Sequence, residues 1–194
     1  ENYIIQNGVD TSVFFPKSNL IAQKYGAKDD EVLLFSPRGF TPLYNIDIIV
    51  DVLSLLKSNN YKFKCMFSYA FGNEYSEGMK RRIINNGIED NVIWLGYLSY
   101  EDMAAHYNAA DIIISIPSSD SSPKSVYEAM FCKKPIIVSD LEWSYELLNN
   151  VKCFERVPVR NIKKSYEAVA YLIDNEKHSN EIAENAFDEA CKYF

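Results

Sequence analysis

Short runs of Ile, Val, Leu, Met and Phe punctuate the chain at Glu31 to Ser36, Lys62 to Ser68, Asn91 to Leu95, Asp111 to Ile116, Pro135 to Ser139 and Lys152 to Val157. Each run is apolar almost throughout rather than alternating, which is how strands of a parallel sheet covered on both faces read. Amphipathic stretches lie between them. Ile46 to Ser58 carries Ile46, Ile49, Val50, Leu53 and Leu56 on one helical face, and Tyr75 to Asn86 places Met79, Ile83 and Ile84 likewise. Ser99 to Ala110 opens on Ser99 with Asp102 one turn on, close to a capping box. Ser125 to Cys132 and Tyr145 to Asn149 predict short helices, and Asn161 to Asn175 and Ser179 to Phe194 predict the last two. Strand alternating with helix predicts an α/β fold, a Rossmann-like doubly wound parallel sheet of about six strands with helices on both faces. No linker, repeat or low-complexity tract interrupts residues 1–194, so a single domain is expected, with 1–30 its least regular part.

Composition narrows the function classes. A chain of 194 residues, 47% of them hydrophobic, builds one ordinary core. Its net charge of -7 argues against holding nucleic acid or an anionic membrane by bulk charge. Cys65, Cys132, Cys153 and Cys191 have no metal-ligand spacing and only two His are present, which argues against a zinc site. Buried, reduced thiols and a cytoplasmic protein are expected. No apolar run reaches the roughly 18 residues of a membrane span. The chain opens without Met on Glu1-Asn2-Tyr3-Ile4-Ile5, which reads as a strand arriving from a preceding part of a longer protein.

Familiar phosphate devices are missing. The glycines at 8, 26, 39, 72, 78, 87 and 96 form neither GxGxxG nor a P-loop. There is no GxSxG, no HExxH and no Asp-x-Asp pair to hold a metal for glycosyl or phosphoryl transfer. Any phosphate must rest on helix N-termini, backbone amides and a few basic side chains.

In an open parallel sheet ligands bind at the carboxyl ends of the strands, so the residues after each run are the candidates. After the first comes Ser36-Pro37-Arg38-Gly39-Phe40-Thr41-Pro42-Leu43-Tyr44-Asn45. Arg38 offers a fork for phosphate oxygens beside a Gly that lets backbone approach closely; an ordinary surface Arg reads the same way. After the third, Gly96-Tyr97 suits a flat ring against the backbone, or an ordinary turn. After the fourth, Pro117 to Ser125 is a hydroxyl-rich loop feeding a helix whose free N–H groups suit a diphosphate. Asp120 lies in that loop and Glu128 about one turn into the helix, where a carboxylate can accept from sugar hydroxyls; a Ser-rich loop beside a charged helix face is the alternative.

Four ordered segments together carry a family resemblance. Asn7-Gly8-Val9-Asp10-Thr11-Ser12-Val13-Phe14-Phe15-Pro16 resembles the NGVDxxxFxP segment of family-4 (group 1) glycosyltransferases. Gly96, Met103, Tyr107, Ala110 and Asp111 resemble their G-x6-[LM]-x3-Y-x2-A-D stretch. Glu128 to Asp140 is similar to their EAMACGKPVIASD block, and the family's E-x7-E pair falls on Asp120 and Glu128, with Asp in the first place. The resemblance implies a GT-B fold, of which this chain is the C-terminal, donor-binding lobe. Residues 1–30 would then enter from a missing N-terminal acceptor lobe, and 179–194 return toward it or dock on their own lobe.

The resemblance also implies a retaining enzyme that takes a nucleoside-diphosphate sugar, needs no metal or other cofactor, and serves polysaccharide or glycoconjugate synthesis. Arg38 would steady the leaving diphosphate and Asp120 face the sugar, the two catalytic positions. Gly39, Ser121, Ser122, Pro123, Lys124 and Ser125 would line the donor, Glu128 accept from the ribose, and Tyr97 stand on the base side. No nucleic acid partner is implied, and peripheral contact with the inner face of the membrane would run through the missing lobe. One lobe alone is not expected to transfer sugar, because transfer needs donor and acceptor held together. A GT-B sugar-nucleotide epimerase and a non-catalytic binding lobe are the alternatives. Two positions depart from the family. Tyr44 stands where a Lys usually follows the Arg, and Lys133 replaces a Gly expected at positive φ, read as a tolerated blemish costing ~1 kcal/mol.

Overall fold

The computed structural model describes residues 8–18, 21, 25–28, 30–68, 72–146 and 152–193. The strand expected at Glu1 to Ile5 lies outside them. The described strands are β1 (Val32–Ser36), β2 (Phe63–Ser68), β3 (Val92–Gly96), β4 (Ile112–Ser115), β5 (Ile136–Ser139) and β6 (Glu155–Val157). They form one parallel sheet in the order β3-β2-β1-β4-β5-β6. The helices are α1 (Ile46–Ser58), α2 (Glu74–Asn85), α3 (Tyr100–Ala109), α4 (Lys124–Phe131), α5 (Trp143–Glu146), α6 (Ile162–Asp174) and α7 (Glu176–Tyr193).

Side chains alternate across the pleat, so each strand feeds two cores. Leu33, Phe35, Met66, Ile113, Ile136 and Val138 meet α3, α4 and much of α7 on one face. Leu34, Cys65, Phe67, Ile112, Ile114 and Ile137 meet α1, α2 and α6 on the other. Burial on both faces explains why the central runs β1, β2, β4 and β5 are the most apolar, whereas the edge strands β3 and β6 are only partly buried and β6 carries Glu155 and Arg156. The predicted fold class is therefore what the chain adopts.

Local chemistry sets the helix ends. Asn73 and Ser76 form a reciprocal capping box at the start of α2. The Ser99 hydroxyl accepts from the Asp102 N–H at 3.1 Å to start α3, although Asp102 answers the hydroxyl rather than the backbone of Ser99. α4 ends in a Schellman turn, in which Lys134 N donates to Ala129 O and Lys133 N to Met130 O. Lys133 is the left-handed residue of that turn, with φ of 55°.

Lys133 is more than a blemish. Its ammonium pairs with Glu184 and lies 5.8 Å from the centre of the Phe187 ring, so the strained position ties α4 to α7. α7 buries Ile182, Ala183, Ala186 and Ala190, and starts at Glu176 rather than Ser179. Cys65, Cys132 and Cys153 are buried, but Cys191 is exposed, which corrects the expectation of uniformly buried thiols. Burial pushes the Cys132 thiol up to about 12 and Cys153 to about 11. Among the described residues no helix is long and apolar enough to cross a membrane.

Candidate functional site at the carboxyl edge

The strand order reverses between β1 and β4, so the loops leaving these two strands part in opposite directions and open a crevice at their carboxyl ends. Asn45 fixes that crevice. It holds φ of 52°, a left-handed conformation that Asn tolerates better than most residues. Its Nδ2 donates to the Ile116 carbonyl at 2.8 Å, and its Oδ1 accepts from the Ser118 hydroxyl at 3.0 Å. The same oxygen accepts from Arg160 Nη1 at 2.8 Å, from the loop after β6. Arg160 Nη2 continues to Asp47 at 2.7 Å. Ser118 N also donates to the Leu43 carbonyl at 2.8 Å. One buried amide thus stitches three loops together.

Two carboxylates and two cations lie over this frame. Arg38 Nη2 meets Asp120 Oδ2 at 2.8 Å, and Nη1 donates to the Ser125 hydroxyl at 2.8 Å. The guanidinium lies 4.2 Å from the centre of the Tyr44 ring, stacked by a cation–π contact. The other Asp120 oxygen accepts from Ser121 N at 2.9 Å. Both charged side chains are only 13% exposed, so solvent screens the pair little and removing one partner would strand the other charge in a partly dry site.

Glu128 projects from α4 and is 7% exposed. Its Oε2 accepts from the Tyr107 hydroxyl at 3.1 Å, while Lys124 Nζ stands 3.9 Å from Oε1. Among the described residues Oε1 takes no hydrogen bond. Burial raises the Glu128 carboxyl above its ordinary 4.5, opposed by the Tyr107 hydrogen bond and by the charges of Lys124 and Arg38. Burial, with the adjacent Glu128 carboxylate, raises Tyr107 well above 10.0, so it stays a donor. Phe14 supports this arrangement. Its ring meets Tyr100 edge-on at 4.8 Å and Tyr107 at 5.9 Å, and Tyr100 carries the Lys124 ammonium at 4.9 Å.

Residues 17–189 match the family described as Glycosyl transferases group 1. The chain belongs to that family. A curated relative is the mannosylfructose-phosphate synthase of Agrobacterium fabrum, 26% identical over 149 residues, which are 71% of this chain and 32% of that protein. Another is the N,N'-diacetylbacillosaminyl-diphospho-undecaprenol alpha-1,3-N-acetylgalactosaminyltransferase of Campylobacter jejuni, 32% identical over 83 residues, 43% of this chain and 22% of that one. The chain thus spans a third or less of these relatives' length. Among solved structures, a glycosyltransferase of Rickettsia africae superposes with a TM-score of 0.87 at 20% identity, covering 99% of this chain and 52% of that one. Anabaena HepE in complex with UDP and glucose does so at 0.86 and 18%, covering 97% and 52%. The C-terminal domain of a group 1 glycosyl transferase of Francisella tularensis, LpcC, gives 0.82 at 17%, covering 96% of this chain and 98% of that one. These likenesses establish the fold as that of a GT-B glycosyltransferase lobe.

In this member of the family the structure brings Arg38, Asp120, Ser121, Lys124, Ser125 and Glu128 into two clusters, around the Arg38–Asp120 pair and around Glu128. Pro123 precedes α4, and its carbonyl accepts from Val126 N at 2.9 Å. Gly39 and Ser122 are half-buried beside the crevice in sequence, and the Gly39 carbonyl accepts from Thr41 N at 3.0 Å. Tyr97 follows Gly96, whose φ is 67°, and is 73% exposed at the same edge, two strands away from β1. Sequence reasoning missed Asn45, Arg160 and the link from Phe14 through Tyr100 and Tyr107. The signal for Asn45 was a left-handed-tolerant residue placed at the helix start. Arg160 left no local signal.

Proposed function

We propose that this chain is the donor-binding lobe of a retaining glycosyltransferase that takes a nucleoside-diphosphate sugar without a metal. The observation that carries this is the convergence of the Arg38–Asp120–Ser125 cluster and the Glu128–Tyr107 pair at the switch point. Arg38 meets the diphosphate and stabilises the charge that grows on it as the glycosidic bond to phosphate breaks. Oε1 of Glu128 accepts from the ribose hydroxyls. Asp120 accepts from the sugar, and the start of α4 faces the phosphates. Tyr97 stands on the base side. Tyr44, in the family's Lys position, stacks on Arg38, so the position still serves the phosphate-binding group. An N-terminal lobe supplies the acceptor site, as coverage of about half of the solved relatives supports. The diphospho-undecaprenol acceptor in the Campylobacter relative's name supports a place in polysaccharide or glycoconjugate synthesis, in the cytoplasm or at the inner membrane face.

A thermal-shift screen of the chain against UDP-, GDP- and ADP-sugars tests this. One series is expected to raise Tm, because a ligand at 100 times its Kd stabilises by about 2.7 kcal/mol. EDTA should leave the shift unchanged. No shift with any sugar nucleotide overturns the donor-lobe reading; a shift abolished by EDTA and restored by magnesium overturns metal independence alone.

Glu128 makes the binding pH-dependent. Its folded-state carboxyl titrates above 4.5, so acidification neutralises it while ordinary carboxylates are still charged. Affinity for a nucleotide sugar, whose diphosphate does not titrate in this range, should therefore fall as pH drops through the raised value. The stability sign is the reverse. A raised acid favours folding below the unfolded value and loses that contribution as pH rises through the folded one. Glu128→Gln should thus raise Tm at neutral pH while weakening the nucleotide and flattening its pH profile. An unchanged profile in calorimetry of the variant would contradict the assignment.

A further inference from the structure

Among the described residues, each cation over the crevice is already matched by a carboxylate. Arg38 is held by Asp120, and Lys124 lies beside Glu128, with Asp10 within electrostatic reach of the same ammonium. These two pairs therefore offer a diphosphate no surplus positive charge. Both oxygens of Asp120 are occupied, one by Arg38 and one by Ser121 N. The side chain is also short and held in a loop that Ser118 and Asn45 anchor to the β1 loop.

We propose that Asp120 is a specificity-determining residue that discriminates nucleotide sugar from free nucleoside diphosphate by competing for Arg38. This rests on reading the crevice as the donor site. A sugar attached to the diphosphate brings hydroxyl donors that satisfy Asp120 as Arg38 turns to the phosphates. A free diphosphate brings none. It also carries about one more negative charge at neutral pH, since a terminal phosphate has a second pKa of about 6. Asp120 is then left without its cation, partly desolvated and beside a like charge, which disfavours that complex. The device favours loading of substrate over retention of product. It differs from the expectation drawn from the sequence, in which Asp120 simply faces the sugar.

Asp120→Asn tests it, because the amide keeps the shape and its oxygen still accepts from Ser121 N while the charge is gone. Calorimetry would compare UDP with UDP-glucose, or the matching pair for whichever base the thermal-shift screen selects, with pyrophosphate as a base-independent probe. We expect UDP and pyrophosphate to bind the variant about tenfold more tightly than the parent, and UDP-glucose to bind no more tightly. Asp120→Glu, which restores the charge, should keep the parent's preference. Unfolding curves of each variant confirm that the fold persists. If the parent binds UDP-glucose and Asp120→Asn leaves the UDP to UDP-glucose ratio unchanged, the selector role is overturned and the donor-lobe reading stands. If neither the parent nor the variant binds any sugar nucleotide or diphosphate, both are overturned.

Discussion

Replacing Phe14 with Ala is expected to destabilise the domain by about 3–5 kcal/mol, the range for deleting a buried aromatic ring. Phe14 is fully buried although it lies in a segment without regular secondary structure. The turn that presents it is local, since Val13 N and Phe14 N donate to the Asp10 carbonyl at 3.1 and 2.9 Å. Asn108 anchors the chain just beyond the ring. Its Oδ1 accepts from Lys17 N at 2.8 Å and its Nδ2 donates to the Phe15 carbonyl at 3.0 Å. The ring bears edge-on upon Tyr100 and Tyr107, which hold Lys124 and Glu128. The loss should therefore appear twice, as a lower urea midpoint and as weaker sugar-nucleotide binding in whatever fraction stays folded. A domain of ordinary stability holds only about 5–15 kcal/mol, so Phe14→Leu is the milder companion, expected to cost about 1–1.5 kcal/mol. A loss below about 1 kcal/mol for Phe14→Ala would show that the segment is not part of the core.

Phe14 also illustrates what the sequence makes legible. A family motif flags the residue, but nothing in its spacing says that it supports Glu128. The four central strands are readable because burial on both faces leaves no polar alternation to confuse with anything else. α1 is readable from end to end, since its apolar face begins at Ile46 and its last turn reaches Ser58. The start of α7 is misread because Ser179 resembles a cap, whereas its side chain is buried and its N–H continues the helix to the Asn175 carbonyl at 3.0 Å. The crevice comes from a rule of topology, so Arg38, Asp120 and Glu128 are candidates before any geometry is known, and the structure places all three at that edge. Their partners are not legible in this way. Arg160 reaches Asn45 across 115 positions of chain, and Asn45 reaches Ile116 across 71. Contacts of that span depend on how strands are ordered in the sheet, which local periodicity does not encode.

Replacing Arg38 with Ala is expected to weaken sugar-nucleotide binding by about a hundredfold. The guanidinium directs two N–H groups at oxygen atoms, Asp120 and Ser125 in the ligand-free chain. Bonds of this kind to a charged partner are worth about 1.5–3 kcal/mol each, and about 1.4 kcal/mol is tenfold in affinity. At the low end of that range two such bonds to a diphosphate give the expected loss, the rest being offset by the Asp120 and Ser125 contacts that Arg38 gives up to reach the ligand. Arg38→Lys should recover little of it. An ammonium is a point charge that cannot present two parallel donors, and it gives up the planar stack at 4.2 Å on Tyr44. The Ala variant also strands Asp120, only 13% exposed, without its partner, so part of its loss reflects repulsion between that carboxylate and the phosphates. A double-mutant cycle separates the two contributions. Arg38→Ala combined with Asp120→Asn should bind UDP better than Arg38→Ala alone, because the stranded charge is gone, yet worse than Asp120→Asn, because no fork remains. Calorimetry with UDP and UDP-glucose on the four proteins supplies the cycle. If Arg38→Lys binds within about twofold of the parent, the fork is not what holds the diphosphate, and Lys124 with the start of α4 must carry it instead.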